Sequence, residues 1–478
     1  MDAIMFQALA PLVTLGIGIV AIMLQIAITR RSGLTHTLAL LLLALSFGMV
    51  LMPGSASAMD ITPLLVVDGY ARLFTGLVLV AAFVTLVMSE RWLAAEGAET
   101  GEYVLLILLA TFGAVVLVHS QHLAALLLGL EILGVSMYTL IAYPQRQPIA
   151  IEAGLKYLVL SSASTAILLF GGALLYAGTG TLGFSEMGDA LAEANVVFVT
   201  IGALMVLAGV AFKLSLVPFH MWTPDVYEGA PTPVTGFLAT VSKVAIFAAL
   251  LRWYQDASLV NHSLVVTALG GLAIASMLAG NLLALKQENL KRLLGYSSIA
   301  HMGYLLIALI VLGITTDGVM GFEAAVWYLI AYTVSTLAAF AALTGLAHDG
   351  HAAATCQREA LAGLFWREPL QALLLTVSLL SLAGVPLTVG FIGKFYLVAA
   401  GVEAQVWSLL IALVLGSAIS IFYYLRVIYT LASPAEPGVD KAPRLAAGST
   451  LIFVSLITAV LFMGMFPSPI IDLLARLL

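Results

Sequence analysis

An all-α polytopic membrane protein of about fourteen spanning helices is the architecture this sequence specifies, and three observations carry it. Of 478 residues, 62% are hydrophobic and only 9% charged, with a mean hydropathy of +1.10; soluble domains carry roughly a quarter charged residues. Apolar runs long enough to span a bilayer recur along the whole chain, and no hydrophilic stretch is long enough for a soluble domain. The basic residues fall almost entirely on alternate connections between those runs. The net charge of −6 says little beside that distribution, and no basic tract of the kind that binds nucleic acid is present. A single cysteine, Cys356, excludes an intrachain disulfide and any cysteine-built cluster or zinc site.

The runs fall near 8–29, 36–52, 69–89, 103–120, 122–142, 152–177, 196–218, 233–254, 263–285, 293–313, 323–347, 370–399, 405–431 and 447–466. The first follows Met1-Asp2, which lacks the basic start of a signal peptide, and reads as a retained helix. Arg30, Arg31, Arg91, Arg146, Lys286, Lys291, Arg292, Arg358, Arg367, Arg426, Lys441 and Arg444 lie on or beside one set of connections. The opposite set holds only Arg72, Arg252 and Arg476. The positive-inside rule then sets both termini outward and the basic connections in the cytoplasm, as in a bacterial inner membrane.

One stretch departs from simple spanning helix: LMVLAGVAFKLSLVPFHMWTPDVYEGAPTPVTGFLATVSKVAIFAALL, beginning at Leu204. It carries Lys213 and Lys243 within apolar runs, and Pro218 between them should break the first helix near 216–218, because proline lacks a backbone donor and clashes with the preceding turn. A central lysine costs about 2.5–3.5 kcal/mol on insertion scales, so two of them ask for a reason. Broken helix at membrane depth is tolerated only against protein or a water-filled cavity. A second stretch repeats the pattern, LLSLAGVPLTVGFIGKF from Leu379, with Gly384 and Pro386 at the break and Lys394 after it. The spacing predicts two five-helix units, 103–254 and 255–432, flanked by three N-terminal helices within 1–102 and a last helix within 433–478. An odd number of helices inverts successive units, and matching breaks in inverted repeats point to a transport path.

Four lysines stand apart from the basic connections: Lys156, Lys213, Lys243 and Lys394. Glu131 sits mid-helix with no charged neighbour in sequence, and His301 lies among Ser297, Ser298 and Tyr304. Burial shifts such groups toward neutrality, the property a proton relay needs. The plainer alternative is one structural ion pair between Glu131 and a lysine. Four lysines and two breaks are more than one ion pair explains. Lys156, about a turn inside its span, could also snorkel to the interface. His220 follows the break, at a path opening or bonded to freed carbonyls. Asp225 and Glu228 fall in the connection after it and read as structural. GTGTLG at 178–183 opens no βαβ unit and is not a dinucleotide site. His348 and His351 have no further ligand nearby, and no flavin, haem or iron–sulfur pattern is present.

PFHMWTPDVYEGAPTPVTGFLATVSKVA, ENLKRLLGYSSIAHMGY and GVPLTVGFIGKFYL together resemble the signatures of the antiporter-like membrane subunits of respiratory complex I, NADH–quinone oxidoreductase. The resemblance covers essentially the whole chain. It implies fourteen helices in two inverted repeats, and proton translocation driven by electron transfer in other subunits. It implies that Glu131 pairs with Lys213 and couples to a neighbouring subunit, that Lys243 is the central proton-receiving lysine, that Lys394 stands near the outward exit, and that His301 joins the two halves. It implies no cofactor on this chain, flavin and iron–sulfur clusters in partner subunits, and quinone reached only through the assembly. Two rivals stay open: a subunit of a multisubunit cation/proton antiporter or membrane-bound hydrogenase, and an assembly scaffold with vestigial path residues.

Overall fold

The computed structural model describes residues 8–52, 59–191, 193–314, 319–346, 356–434 and 447–471. Lys441, Arg444, Arg476, His348 and His351 lie outside the described residues, as do both termini. The spanning helices and half-helices are α1 (Ala10–Ile28), α2 (Ser32–Leu51), α3 (Gly69–Glu96), α4 (Thr100–His119), α5 (Leu123–Ile141), α6 (Pro148–Thr179) and α7a (Val196–Lys213). After a break come α7b (Trp222–Gly229), α8 (Thr232–Asp256), α9 (Ser263–Ala284), α10 (Leu290–Leu312) and α11 (Val319–Leu346). Last are α12a (Pro369–Ala383), α12b (Val389–Glu403), α13 (Trp407–Ala432) and α14 (Ala447–Met465).

Thirteen of these are long and apolar enough to cross a membrane. The fourteenth span is α12, whose two halves of 15 residues each reach about 22 Å, short of a hydrocarbon core of about 30 Å. The fourteen runs read from hydropathy are thus all present among the described residues. The helix ends follow local chemistry. Asp68, Asn195 and Asn289 cap α3, α7a and α10 by accepting from first-turn amides. Gly97, Gly180 and Gly384 end α3, α6 and α12a in the left-handed conformation.

Among the described residues the departure from an all-helical fold is a two-strand hairpin, β1 (Met59–Thr62) and β2 (Leu65–Val67). It is stitched to the α4–α5 turn, where the Gln121 amide donates to Leu64 O at 3.1 Å and its side chain to Thr62 O at 2.9 Å. Hydropathy is silent on it, since the segment is too short to stand as a span.

The middle of the bundle is α8, buried along all of its spanning window, with α10 and α11 nearly so, whereas about a third of the window or less is buried in α1, α14, α6 and α9. Polar groups therefore cost most in α8, α10 and α11, the helices that carry Lys243 and His301. Two of the basic residues that break the alternation are tied to partners. Arg72 donates to Val50 O at 2.8 Å and to Met52 O at the end of α2. Arg252 makes a two-pronged pair with Asp68 at 2.8 and 3.0 Å. Burial alone would raise the Asp68 carboxyl, and the Arg252 guanidinium more than offsets it, holding Asp68 below the ordinary carboxylate range.

Candidate functional site

The first break starts earlier than proline alone predicts. Helix α7a stops at Lys213 rather than at 216–218, because the Pro218 ring is incompatible with helix back to residue 214. The Val217–Pro218 bond is cis, and Ser215 takes a left-handed φ of 65°. The freed carbonyls find specific donors. Lys243 Nζ, fully buried, donates to Lys213 O at 3.1 Å and to Ser215 Oγ, and it stands 5.3 Å from the centre of the Trp222 ring. Trp222 Nε1 donates to Phe212 O at 3.0 Å, and Thr223 Oγ1 to Ser215 Oγ at 2.6 Å. A cation at a helix C-terminus is favoured by the macrodipole, so Lys243 both closes the break and is held by it. A π-helical turn, Leu238–Ser242, delivers Lys243 to this point; such turns recur at functional sites.

Lys213 is buried, but it does not touch Glu131. Its ammonium donates to Ser161 Oγ on α6, which also accepts from Tyr138 OH at 2.8 Å. Glu131 is half-buried rather than buried, and its Oε1 accepts from Thr165 Oγ1 at 2.9 Å. The acid and the ammonium thus face two hydroxyls one turn apart on the same helix, and the direct ion pair expected from sequence is not formed.

The second break repeats the chemistry of the first. Helix α12a ends at Ala383; Gly384 (φ 82°) and Leu387 (φ 75°) turn the chain through Pro386, and α12b begins at Val389. Lys394 Nζ donates to Ala383 O at 2.8 Å, again an ammonium on the last carbonyl of a half-helix. It stands 5.4 Å from the centre of the Tyr304 ring. A small cavity, with room for about one water, joins Lys394 to His301 between Tyr328, Tyr332, Ser335 and Ser381. The His301 Nδ1 hydrogen-bonds the Tyr328 hydroxyl at 2.6 Å, and Nε2 lies 3.5 Å from Tyr424 OH. Ser298 bonds Tyr332 at 2.7 Å and accepts from Tyr227 OH at 3.3 Å, which links the His301 cluster to α7b.

A family model described as "NADH:quinone oxidoreductase/Mrp antiporter, TM" matches residues 120–420, which include both breaks together with Glu131, Lys213, Lys243, His301 and Lys394. The chain belongs to that family. Among solved structures it is similar to a chain of the respiratory complex I of Thermus thermophilus, at 33% identity over 96% of this chain and 97% of that one, with a TM-score of 0.82. The fold is shared with a chain of an archaeal membrane-bound sulfane sulfur reductase (24% identity, 99% and 96% covered, TM-score 0.87). It is also shared with a chain of the Mrp complex of Dietzia sp. (19%, 100% and 96%, TM-score 0.83). These three are chains of membrane complexes, and this chain is an antiporter-like polytopic membrane protein of the same fold.

Within this antiporter-like chain the predicted residues separate into two groups. Lys213, Lys243, Lys394 and His301 lie in the interior, while Lys156 does not join them. It bonds Asp225 and Glu152, each at 2.8 Å, with 42% of its side chain exposed. Asp225 and Glu228 are on helix α7b rather than in a loop, and both also bind Arg292, at 2.7 and 3.1 Å. Lys156 therefore ties α6 to α7b. His220 is buried beside the exposed Pro218 and Met221, and its Nδ1 has no hydrogen-bond partner among the described residues.

The sequence reading missed two interior polar residues. Asn281, fully buried, donates to Tyr304 OH at 2.8 Å and accepts from Tyr423 OH at 3.1 Å. Lys291, read as a loop lysine, is buried and donates to Glu228 O at 2.9 Å and to Ala230 O, closing the end of α7b. An asparagine in an apolar run was a usable signal for the first. The second had none, since its position beside Arg292 marks it as an ordinary cytoplasmic charge.

Proposed function

We propose that this chain is the proton-translocating subunit N of a bacterial respiratory complex I, working with other membrane and peripheral subunits of that assembly. The observation that carries the reading is the series of interior titratable groups, Lys213, Lys243, His301 and Lys394. Each is held by a hydroxyl or by a helix-end carbonyl, and none is locked in a salt bridge among the described residues. An ammonium held by neutral acceptors can lose its proton without stranding a carboxylate. The identity to the Thermus complex I chain supports the choice of assembly. In this reading flavin and iron–sulfur clusters belong to partner subunits, and the energy arrives from quinone reduction there. Protons reach Lys213 and Lys243, pass the Tyr227–Ser298 link and the His301 cluster, and leave from Lys394. Against the membrane potential each charge costs about 2.3 kcal/mol per 100 mV, so a shift of roughly two pKa units at one buried lysine suffices to gate it.

The test is substitution in the assembled complex. Glu131→Ala and Lys213→Ala each lower NADH-driven acidification of inverted vesicles by about tenfold or more, with assembly retained, because each strips a charge-assisted partner from the first half of the path. An unchanged proton-to-electron ratio and rate in both refutes the role. Acidification driven by a sodium gradient without NADH favours the cation/proton antiporter instead.

The membrane orientation is a separate expectation of the same reading. Arg72 and Arg252, the described exceptions to the charge alternation, are bound internally, which leaves the cytoplasmic assignment of the remaining basic residues to set the topology. Both termini are outward. A C-terminal reporter active only in the cytoplasm stays silent; a bright signal reverses the assignment.

A further inference from the structure

Lys213 on α7a and Glu131 on α5 are opposite charges on two helices that both pack against α6, and each bonds a hydroxyl rather than the other. Those hydroxyls, Ser161 and Thr165, are four residues apart on α6 and so share a face. Ser161 accepts from both Lys213 and Tyr138, which uses both lone pairs of its oxygen. Thr165 donates to Glu131. Across from them, α5 offers Gly134, three residues from Glu131. A Cβ there would stand only 3.7 Å from Lys213 Nζ, so the ammonium lies directly over the glycine, one turn from the acid. Because that glycine is three residues from Glu131 on the same helix, side-chain rotation and the exchange of two hydrogen bonds are the moves that would bring the two charges together.

We propose that Ser161 and Thr165 are positioning residues, a polar shelf on α6 that parks the Lys213 ammonium and the Glu131 carboxylate on separate hydroxyls and so sets how readily the two charges pair. The inference rests on the proton-translocation reading above. In the parked state Lys213 is free of its counter-charge and gives up its proton more easily; in the paired state it retains it. No covalent bond changes. Thr165 donates to a carboxylate that it thereby holds away from the lysine, and Ser161 accepts from a lysine that it holds away from the carboxylate. Loss of either hydroxyl drives the two charges together and slows release.

The deciding experiment is a double-mutant cycle on the assembled complex, read as NADH-driven proton uptake per complex. Thr165→Val keeps shape and removes the hydroxyl. A hydrogen bond to a charged group is worth about tenfold or more in the balance of two states, so Thr165→Val lowers uptake about tenfold, while Thr165→Ser stays within about twofold. In a Glu131→Gln background, Thr165→Val adds no further loss, because there is no longer a carboxylate to release. Ser161→Ala gives the same pattern and serves if Thr165→Val does not assemble. Equal losses in both backgrounds, or no loss from either hydroxyl variant while Glu131→Gln is impaired, overturn the shelf. Normal uptake by Glu131→Gln alone overturns the underlying reading, and is scored separately from the hydroxyl variants.

Discussion

Lys394→Arg abolishes proton transfer, whereas Lys394→Glu retains a fraction of it. The ammonium of Lys394 sits on Ala383 O at the end of α12a, buried and next to the His301 cavity. Arginine preserves the positive charge and the donor, so the cap on α12a and the local packing survive. What it loses is the neutral form. The side-chain pKa of arginine exceeds that of lysine by roughly two to three units, which at equal surroundings makes the neutral state about a hundredfold to a thousandfold rarer. A relay that has to pass through that state slows by the same factor. Glutamate gives up the charge match to the helix end but remains titratable, and in its protonated form it still donates to Ala383 O. The order in reconstituted vesicles, normalised to assembled complex, is therefore lysine, then glutamate, then arginine. A purely structural lysine gives the reverse order of the two variants, and normal transport by Lys394→Arg sinks the relay.

Gly390→Ala prevents accumulation of the folded chain. Helices α12a and α12b cross so closely that a Cβ on Gly390 would stand 1.9 Å from Ser381 O, while the Gly390 amide donates to Ser381 Oγ at 3.0 Å. The obstructing atom is backbone, so no side-chain rotation relieves it. The cost falls at or beyond the upper end of the usual overpacking range, about 3 kcal/mol. Gly464 on α14 braces the same break, its Cβ position 2.5 Å from Leu387 O. The control is Gly270→Ala on α9, where a Cβ meets nothing within 4 Å and the change gains helix propensity of up to about 1 kcal/mol. Membrane abundance and thermal stability in detergent, compared between the two variants, decide the matter: equal behaviour means that the crossing tolerates a wider separation than this geometry implies.

The two results probe different layers of one device. At both breaks a lysine closes the last carbonyl of a half-helix, Lys243 at Lys213 O and Lys394 at Ala383 O. A titrating group and the geometry of the break are thereby joined at a single hydrogen bond, and the half-helix dipole supplies some of the field that holds the proton. The lysines come from different places in their halves: Lys243 from the next helix, Lys394 from the downstream half of the broken one. The shared feature is the chemistry of the exposed helix end rather than a shared position.

The sequence by itself determined the membrane class, the fourteen spans and both breaks, because each rests on composition or on a covalent property local to the chain. Hydrocarbon thickness sets the length of an apolar run, and the ring of Pro218 or Pro386 stops a helix whatever surrounds it. It also marked Lys213, Lys243, Lys394 and His301, since a titratable group in an apolar run announces its cost. Partnership was decided only by tertiary structure. That Lys213 and Glu131 find Ser161 and Thr165 within reach depends on how α5, α6 and α7a are rotated against one another, and no local pattern encodes that rotation. The same packing turned Asp225 and Glu228 from loop residues into the acids of α7b that hold Lys156 and Arg292. It also buried Lys291, whose neighbours in sequence are those of a surface charge. A charge is legible because its desolvation is a property of one residue; the hydroxyl that receives it is not, because serine and threonine cost little in a helix and become specific only when three helices bring them to one place.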